Sequence, residues 1–210
     1  MRETAPPGPA PSPPPDLHAR SLKTTRLQAN TVLYRIHRTS RNPFHFGRHT
    51  DPARRQRWDA PDGSYGVCYM AKDGHIAFAE TLLRDLSIRE LSEAELDLRS
   101  LCTIRVVSPL RLVTMHGGSM RAHGADPSVV HGPYPKAWEW SLAFHEHPSS
   151  PDGILYRLYR ARHDDSGLSI ALFERARGKV EKAESIRLLD SGFAETLGEW
   201  LDRYDLGLSS

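Results

Sequence analysis

The sequence predicts an α+β fold built as a single domain. Three observations carry this. Apolar runs of strand length and apolar stripes at helical spacing are mixed without regular strand–helix–strand alternation, which argues against a doubly wound sheet. The chain has 210 residues, enough for one sizeable core and too few to require two. No Gly-x-Gly-x-x-Gly and no Walker-type Gly-Lys-Ser/Thr is present, so neither a Rossmann nor a P-loop scaffold is indicated.

Residues 1–26 read as a disordered, proline-rich tail and residues 27–210 as the domain. Seven of the sixteen prolines fall in the first 15 residues, which removes amide donors and leaves almost nothing to bury. Such a segment is either a solvated extension or a polyproline ligand for an aromatic groove, and the solvated extension is expected. Thr31 to His37 alternates and is rich in strand formers, giving the first strand. Residues 39–65 carry Asn42-Pro43, Asp51-Pro52 and Pro61-Asp62-Gly63 with little periodicity, and loops of that length usually bind or cover ligands. Gly66 to Ala71 reads as a buried strand. Asp73 then caps a helix whose stripe runs through Ile76, Phe78, Ala79, Leu82, Leu83 and Leu86.

Ser92 to Leu96 reads as a short helix, followed by strands at Leu101 to Val107 and Leu110 to Met115. A Gly-, His- and Pro-rich connection runs from Gly117 to Pro135 and leads into a helix over Lys136 to His147. Strands are expected at Gly153 to Tyr156, Leu168 to Phe173 and Ser185 to Leu189. A last amphipathic helix, Ser191 to about Tyr204, sets Phe193, Leu197, Trp200, Leu201 and Tyr204 on one face.

Composition narrows the function. With 28 Lys+Arg against 26 Asp+Glu the formal net charge is +2, so direct nucleic-acid binding through overall charge is not implied. Arg48, Arg54, Arg55 and Arg57 form the densest basic cluster, either a solvated loop or part of an anion site. Cys68 and Cys102 sit in apolar runs without metal-type spacing and read as buried free thiols of a reducing compartment. No stretch approaches the ~20 apolar residues of a membrane helix, and the N-terminus has no signal-peptide core, so a cytoplasmic protein is expected. No metal site is predicted: in a helix, His145 and His147 of His145-Glu146-His147 point about 200° apart, which fits a solvated helix end.

The polar residues that remain in apolar settings form an arginine and carboxylate set. Arg35 lies within the first strand, where its planar fork suits a pyrophosphate; an ion pair with Glu80 or an aspartate is the alternative. Arg57, next to Trp58, offers a second clamp. Tyr69 and Glu80 lie on a strand and the helix after it, which allows both to reach one mouth of the sheet. Glu80 sits among Ile76, Ala77, Phe78, Ala79, Leu82 and Leu83, where a carboxylate needs a reason.

The ordered set Leu33-Tyr34-Arg35-Ile36-His37, Arg57-Trp58, Gly66-Val67-Cys68-Tyr69-Met70-Ala71, Ala77-Phe78-Ala79-Glu80-Thr81, Ala137-Trp138-Glu139-Trp140 and Asp152-Gly153-Ile154-Leu155-Tyr156 resembles the RES domain. The resemblance runs from about residue 31 to 177. It implies an ADP-ribosyltransferase-like mixed sheet core with flanking helices. It also implies a bacterial toxin of an Xre–RES toxin–antitoxin pair, which consumes NAD as a substrate rather than a cofactor by cleaving the nicotinamide–ribose bond, with phosphate or water as acceptor. The implied partner is an Xre-like antitoxin. By the same resemblance Arg35 matches the motif arginine, Arg57 the loop arginine, Tyr69 the strand tyrosine and Glu80 the motif glutamate. Catalytic roles then fall on Glu80 and Arg35, and substrate binding on Arg35, Arg57 and Tyr69.

The motif serine is altered. Anchored on Asp152-Gly153-Ile154 its slot falls on Leu158; anchored on Arg162-His163-Asp164 it falls on Ala161, and neither has a hydroxyl. Ser166 and Ser169 are near in sequence, but a hydroxyl from either requires a different backbone path. Two functions stand beside each other on these residues: an NAD-cleaving enzyme, or a catalytically silent RES-like module that binds an antitoxin or NAD.

Overall fold

A computed structural model describes residues 10–85, 87–157 and 167–209. Along the chain the strands are β1 (Thr24–Leu27), β2 (Val32–Arg38), β3 (Val67–Ala71), β4 (Glu90–Ser92), β5 (Arg99–Val106), β6 (Leu110–Met115), β7 (Gly153–Arg157), β8 (Leu168–Phe173), β9 (Val180–Arg187) and β10 (Gly207–Ser209). The helices are α1 (Gly74–Leu82), α2 (Glu93–Asp97), α3 (Gly118–His123), α4 (Pro127–His131), α5 (Tyr134–His145) and α6 (Ala194–Arg203). Eight strands form one mixed sheet in the order β1-β6-β7-β8-β3-β2-β5-β9, and β4 pairs with β10 apart from it. Only β6 and β7 run parallel within the large sheet, and the crossover between them holds α3, α4 and α5, as a parallel connection requires. Among the described residues no helix is long and apolar enough to cross a membrane.

The sheet has one weak seam. β2 pairs with β5 through seven residues, Val32 to Arg38, and β3 pairs with β8 through five, whereas β2 and β3 meet only at Tyr34 and Ala71. Beyond that point the two strands part. The β3 edge that β2 abandons is taken up by the long loop, where Gly47 and Val67 exchange both backbone hydrogen bonds. A fissure therefore opens inside a continuous sheet, flanked on one side by α1.

Strand alternation distributes the core. Val67, Ile154, Tyr156, Ala171 and Phe173 pack with Trp140 and Phe144 of α5, while Cys68, Met70, Leu155, Ile170 and Leu172 meet Leu33, Cys102 and Ile104 on the other side. A third cluster joins α1 to α6 through Phe78, Leu197 and Trp200, with Ile36 and Ala71 beneath. Cys68 and Cys102 are buried free thiols.

Several expectations are corrected. Residues 10–26 are not a solvated tail: Ala10 and Leu17 are buried, Trp140 Nε1 donates to Pro11 O at 2.8 Å, and β1 pairs with β6. Prolines lack donors but keep acceptors, and an extended segment that loses little entropy on docking is what an indole N–H can hold. Residues 1–9 lie outside the described residues. The helix at residue 74 ends at Leu82 instead of running to Leu86, which is also outside them. Asp73 occupies its N-cap position without a side-chain capping bond. Two short helices, α3 and α4, lie within the connection read as irregular; the second starts at an Asp126 cap with Pro127 in its first turn. β9 begins five residues earlier than expected, because an edge strand with mostly exposed residues carries no apolar alternation. The end of α5 is not solvated either: His147 is buried and bonded to Arg20 O, and the His145 ring stacks on Tyr65 at 3.8 Å.

Candidate active site in the sheet fissure

The fissure leaves about 620 Å³ of space, part of it open to solvent, lined by Arg35 from β2, Tyr69 and Ala71 from β3, Glu80 and Arg84 from α1 and its end, Arg57 of the long loop, Tyr134 of α5 and Tyr156 of β7. The structure thus brings Arg35, Arg57, Tyr69 and Glu80 to one place. Leu158 and Ala161 lie outside the described residues.

Arg35 reaches across the seam. On β2, Leu33 and Arg35 share one side and Tyr34 and Ile36 the other. Where β2 and β3 part, the guanidinium fills the gap: Nη1 donates to Tyr69 O at 3.2 Å and to Cys68 Sγ. Burial raises the Cys68 thiol above its ordinary value against the opposing pull of Arg35, so this neighbour is neutral. Among the described residues Arg35 makes no ion pair, with Glu80 or any aspartate, and its buried Nε has no partner. A half-buried cation with an unused donor suits an incoming anion.

Arg57 is positioned by α4 and α5. Its Nη1 donates to Gly132 O at 2.8 Å, and the guanidinium lies over the Tyr134 ring at 4.6 Å. The neighbouring loop residues fix the site from below. Tyr69 donates its hydroxyl to Asp59 Oδ1 at 2.7 Å and accepts from the Trp58 amide at 3.0 Å, so the tyrosine is tied at its tip and offers the cavity its ring. Asp59 is 2 % exposed, and burial, partly offset by bonds from Gln56 N and Tyr69, raises its carboxyl above the usual range. Trp58 is fully buried against Tyr156, their ring centroids 5.5 Å apart.

Glu80 projects from the second half of α1, and Tyr156 donates its hydroxyl to Glu80 Oε1 at 3.3 Å. Burial, then the charge of Glu80, raises the Tyr156 hydroxyl well above its ordinary range, which keeps it a donor. One turn on, Arg84 donates to Gln56 Oε1 at 2.6 Å and through Nε to Glu80 O, bracing the helix end against the loop. Toward the wider end of the fissure a second cavity of about 910 Å³ is lined by Arg38, Arg41, His45, His49 and Arg99. Burial, followed by the charges of Arg35 and Arg41, holds His45 below its ordinary value.

Sequence reasoning missed Asp59, Arg84 and Tyr134 as parts of this site. Arg84 stands one helical turn from Glu80, a spacing that signals a shared face; Asp59 and Tyr134 have no local signal, since both are brought in by tertiary packing. The opening of the segment that carries the altered serine slot is architectural. Asp152 accepts from Arg111 N at 2.8 Å and from Lys179 Nζ at 2.9 Å, pinning β7 to β6 and to the start of β9. Among the described residues no group of three or more His, Cys, Asp or Glu side chains is arranged to hold a metal ion.

The profile of the RES domain matches residues 32–191, about three quarters of the chain. The chain belongs to the RES-domain family. Its RES region starts at the first residue of β2 and ends just before α6, so it contains both walls of the fissure, α1 and the β7–β8 pair, and leaves out β1 and α6. In fold, the chain is similar to a chain in the crystal structure of the M. tuberculosis MbcT–MbcA toxin–antitoxin complex, with a TM-score of 0.60 and 17% sequence identity over 82% of this chain and 92% of that one. No curated protein sequence is similar enough to this RES protein to count as a match.

Proposed function

We propose that this RES protein binds NAD in the fissure and cleaves its nicotinamide–ribose bond, with phosphate or water as acceptor, as the toxin of a toxin–antitoxin pair. The observation that carries the reading is the convergence of Arg35, Arg57, Tyr69 and Glu80 on one cavity whose carboxylate is held by a buried tyrosine hydroxyl. In NAD the nicotinamide nitrogen is cationic and leaves with the bonding pair as a neutral ring, so the leaving group needs no proton. The acceptor oxygen then bonds to the ribose carbon; water releases a proton to solvent in doing so, whereas a phosphate oxyanion has none to lose. Positive charge develops on the ribose, and the Glu80 carboxylate stabilises it, oriented by Tyr156.

Arg35 offers its unused Nε to the pyrophosphate, Arg57 clamps it from the loop, and the Tyr69 ring orients nicotinamide, so much of the rate comes from positioning. Membership of the RES family and the likeness to a chain of a toxin–antitoxin complex support an antitoxin partner; in our reading it is of Xre type and covers this cleft. The test is release of nicotinamide from NAD by the purified protein, with and without phosphate. Glu80→Gln is expected to lower the rate by about 100-fold or more. Calorimetric binding of NAD without any release would instead assign a silent, NAD-binding module.

A further inference from the structure

Ser169 of β8 carries a hydroxyl that no described residue bonds. The residue is 1 % exposed, and its Oγ has no hydrogen-bond partner among the described residues. A buried hydroxyl left unpaired destabilises a protein, and one that persists calls for an explanation outside the resting fold.

Its place on the sheet supplies that explanation. Tyr156 of β7, Ser169 of β8, Ala71 of β3 and Tyr34 of β2 stand in register across four neighbouring strands. Side chains in register point to the same face, and the other three of this row line the cleft. Ser169 therefore lies on the cleft's face of the sheet, just beneath the lining, between Tyr156, which holds Glu80, and Ala71, which presents only a methyl group. The helix that carries Glu80 also packs against β8.

We propose that Ser169 is the serine of this cleft: its hydroxyl, from β8, hydrogen-bonds the ribose or carboxamide end of the bound dinucleotide, in place of the one that Leu158 and Ala161 lack. The inference rests on the NAD reading of the site. A hydroxyl kept unpaired for a ligand has a signature that a packing residue does not share, because its removal relieves the resting fold while impairing the bound state.

The experiment compares wild type with Ser169→Ala in three measurements: melting temperature without ligand, NAD affinity by calorimetry, and steady-state nicotinamide release. We expect the variant to melt about 2–4 °C higher and to lose about 10-fold in kcat/KM, with weaker NAD binding. An active wild type with Ser169→Ala unchanged in kcat/KM and affinity overturns the role of Ser169 and leaves the cleft reading standing. A variant that loses activity and also melts lower assigns Ser169 to packing and overturns the role equally. A wild type that neither binds NAD nor releases nicotinamide overturns both readings.

Discussion

Arg35 and His145 show how individual side chains are tuned by what surrounds them. The partners of Arg35 are a neutral thiol and a carbonyl, so its charge is held in place without being neutralised, as anion recognition requires. His145 is a case of stability. Its ring lies flat on Tyr65 and edge-on to Phe173, and burial, then the charge of Arg175, holds its pKa down to about 4 against an ordinary 6.5. Above pH 6.5 the ring is neutral in both folded and unfolded chains and its packing contributes fully. As pH falls through 6.5 toward 4, the unfolded chain takes up a proton that the folded chain refuses, and that stability is lost. His145→Asn is expected to melt lower than wild type at pH 7.5 and to show a smaller drop between pH 7.5 and 4.5. Parallel melting curves for the two proteins check it, since His37, His123 and His131 shift in the same direction and are common to both.

At the scale of elements the site exists because two strands separate. A paired β2 and β3 would close the seam, and Arg35 would lose the gap that its guanidinium spans. The opposite requirement governs β7 and β8, which must lie close. A Cβ on Gly153 would meet Ala171 O at 2.3 Å and Leu172 Cα at 3.0 Å, so only glycine lets β7 start against β8. Gly153→Ala is expected to destabilise the fold by about 3 kcal/mol, read as a lower denaturant midpoint in an unfolding titration. Elements with a core face were legible in the sequence: β2, β3, β6, β8 and α6 fall where the apolar pattern puts them, and Ser92, read as the first residue of a short helix, is the N-cap of α2 and accepts from Glu95 N. Those missed, β1, β4, β10, α3 and α4, are three to six residues long, too short for a period to show.

For the whole molecule, the RES region is not the folding unit. The match spans residues 32–191, yet α1 is covered by Leu197 and Trp200 of α6, β1 closes the sheet beyond β6, and Leu17 and Leu22 pack on the cluster around Trp140. A fragment limited to 32–191 is expected to lack a cooperative thermal transition by circular dichroism, while the full chain unfolds in one. The sequence by itself determined the fold class, the strand and helix faces that carry the core, and the four polar residues gathered at the cleft. The fold class and core faces follow from local periodicity, and Arg35 and Glu80 from the cost of placing a charge among apolar neighbours, both written in consecutive residues, whereas Arg57 and Tyr69 follow from the resemblance to the RES domain. Tertiary structure alone decided that β2 and β3 part, that Asp59, Tyr134 and Tyr156 join the site, that Pro11 and Ser12 dock on α5, and that Ser169 stands in register between Tyr156 and Ala71. The parting of β2 and β3 and the places of Tyr156 and Ser169 depend on register between strands distant in sequence, where a shift of one residue would turn these side chains to the other face; Asp59, Tyr134, Pro11 and Ser12 are placed by the packing of loop and helix against that sheet.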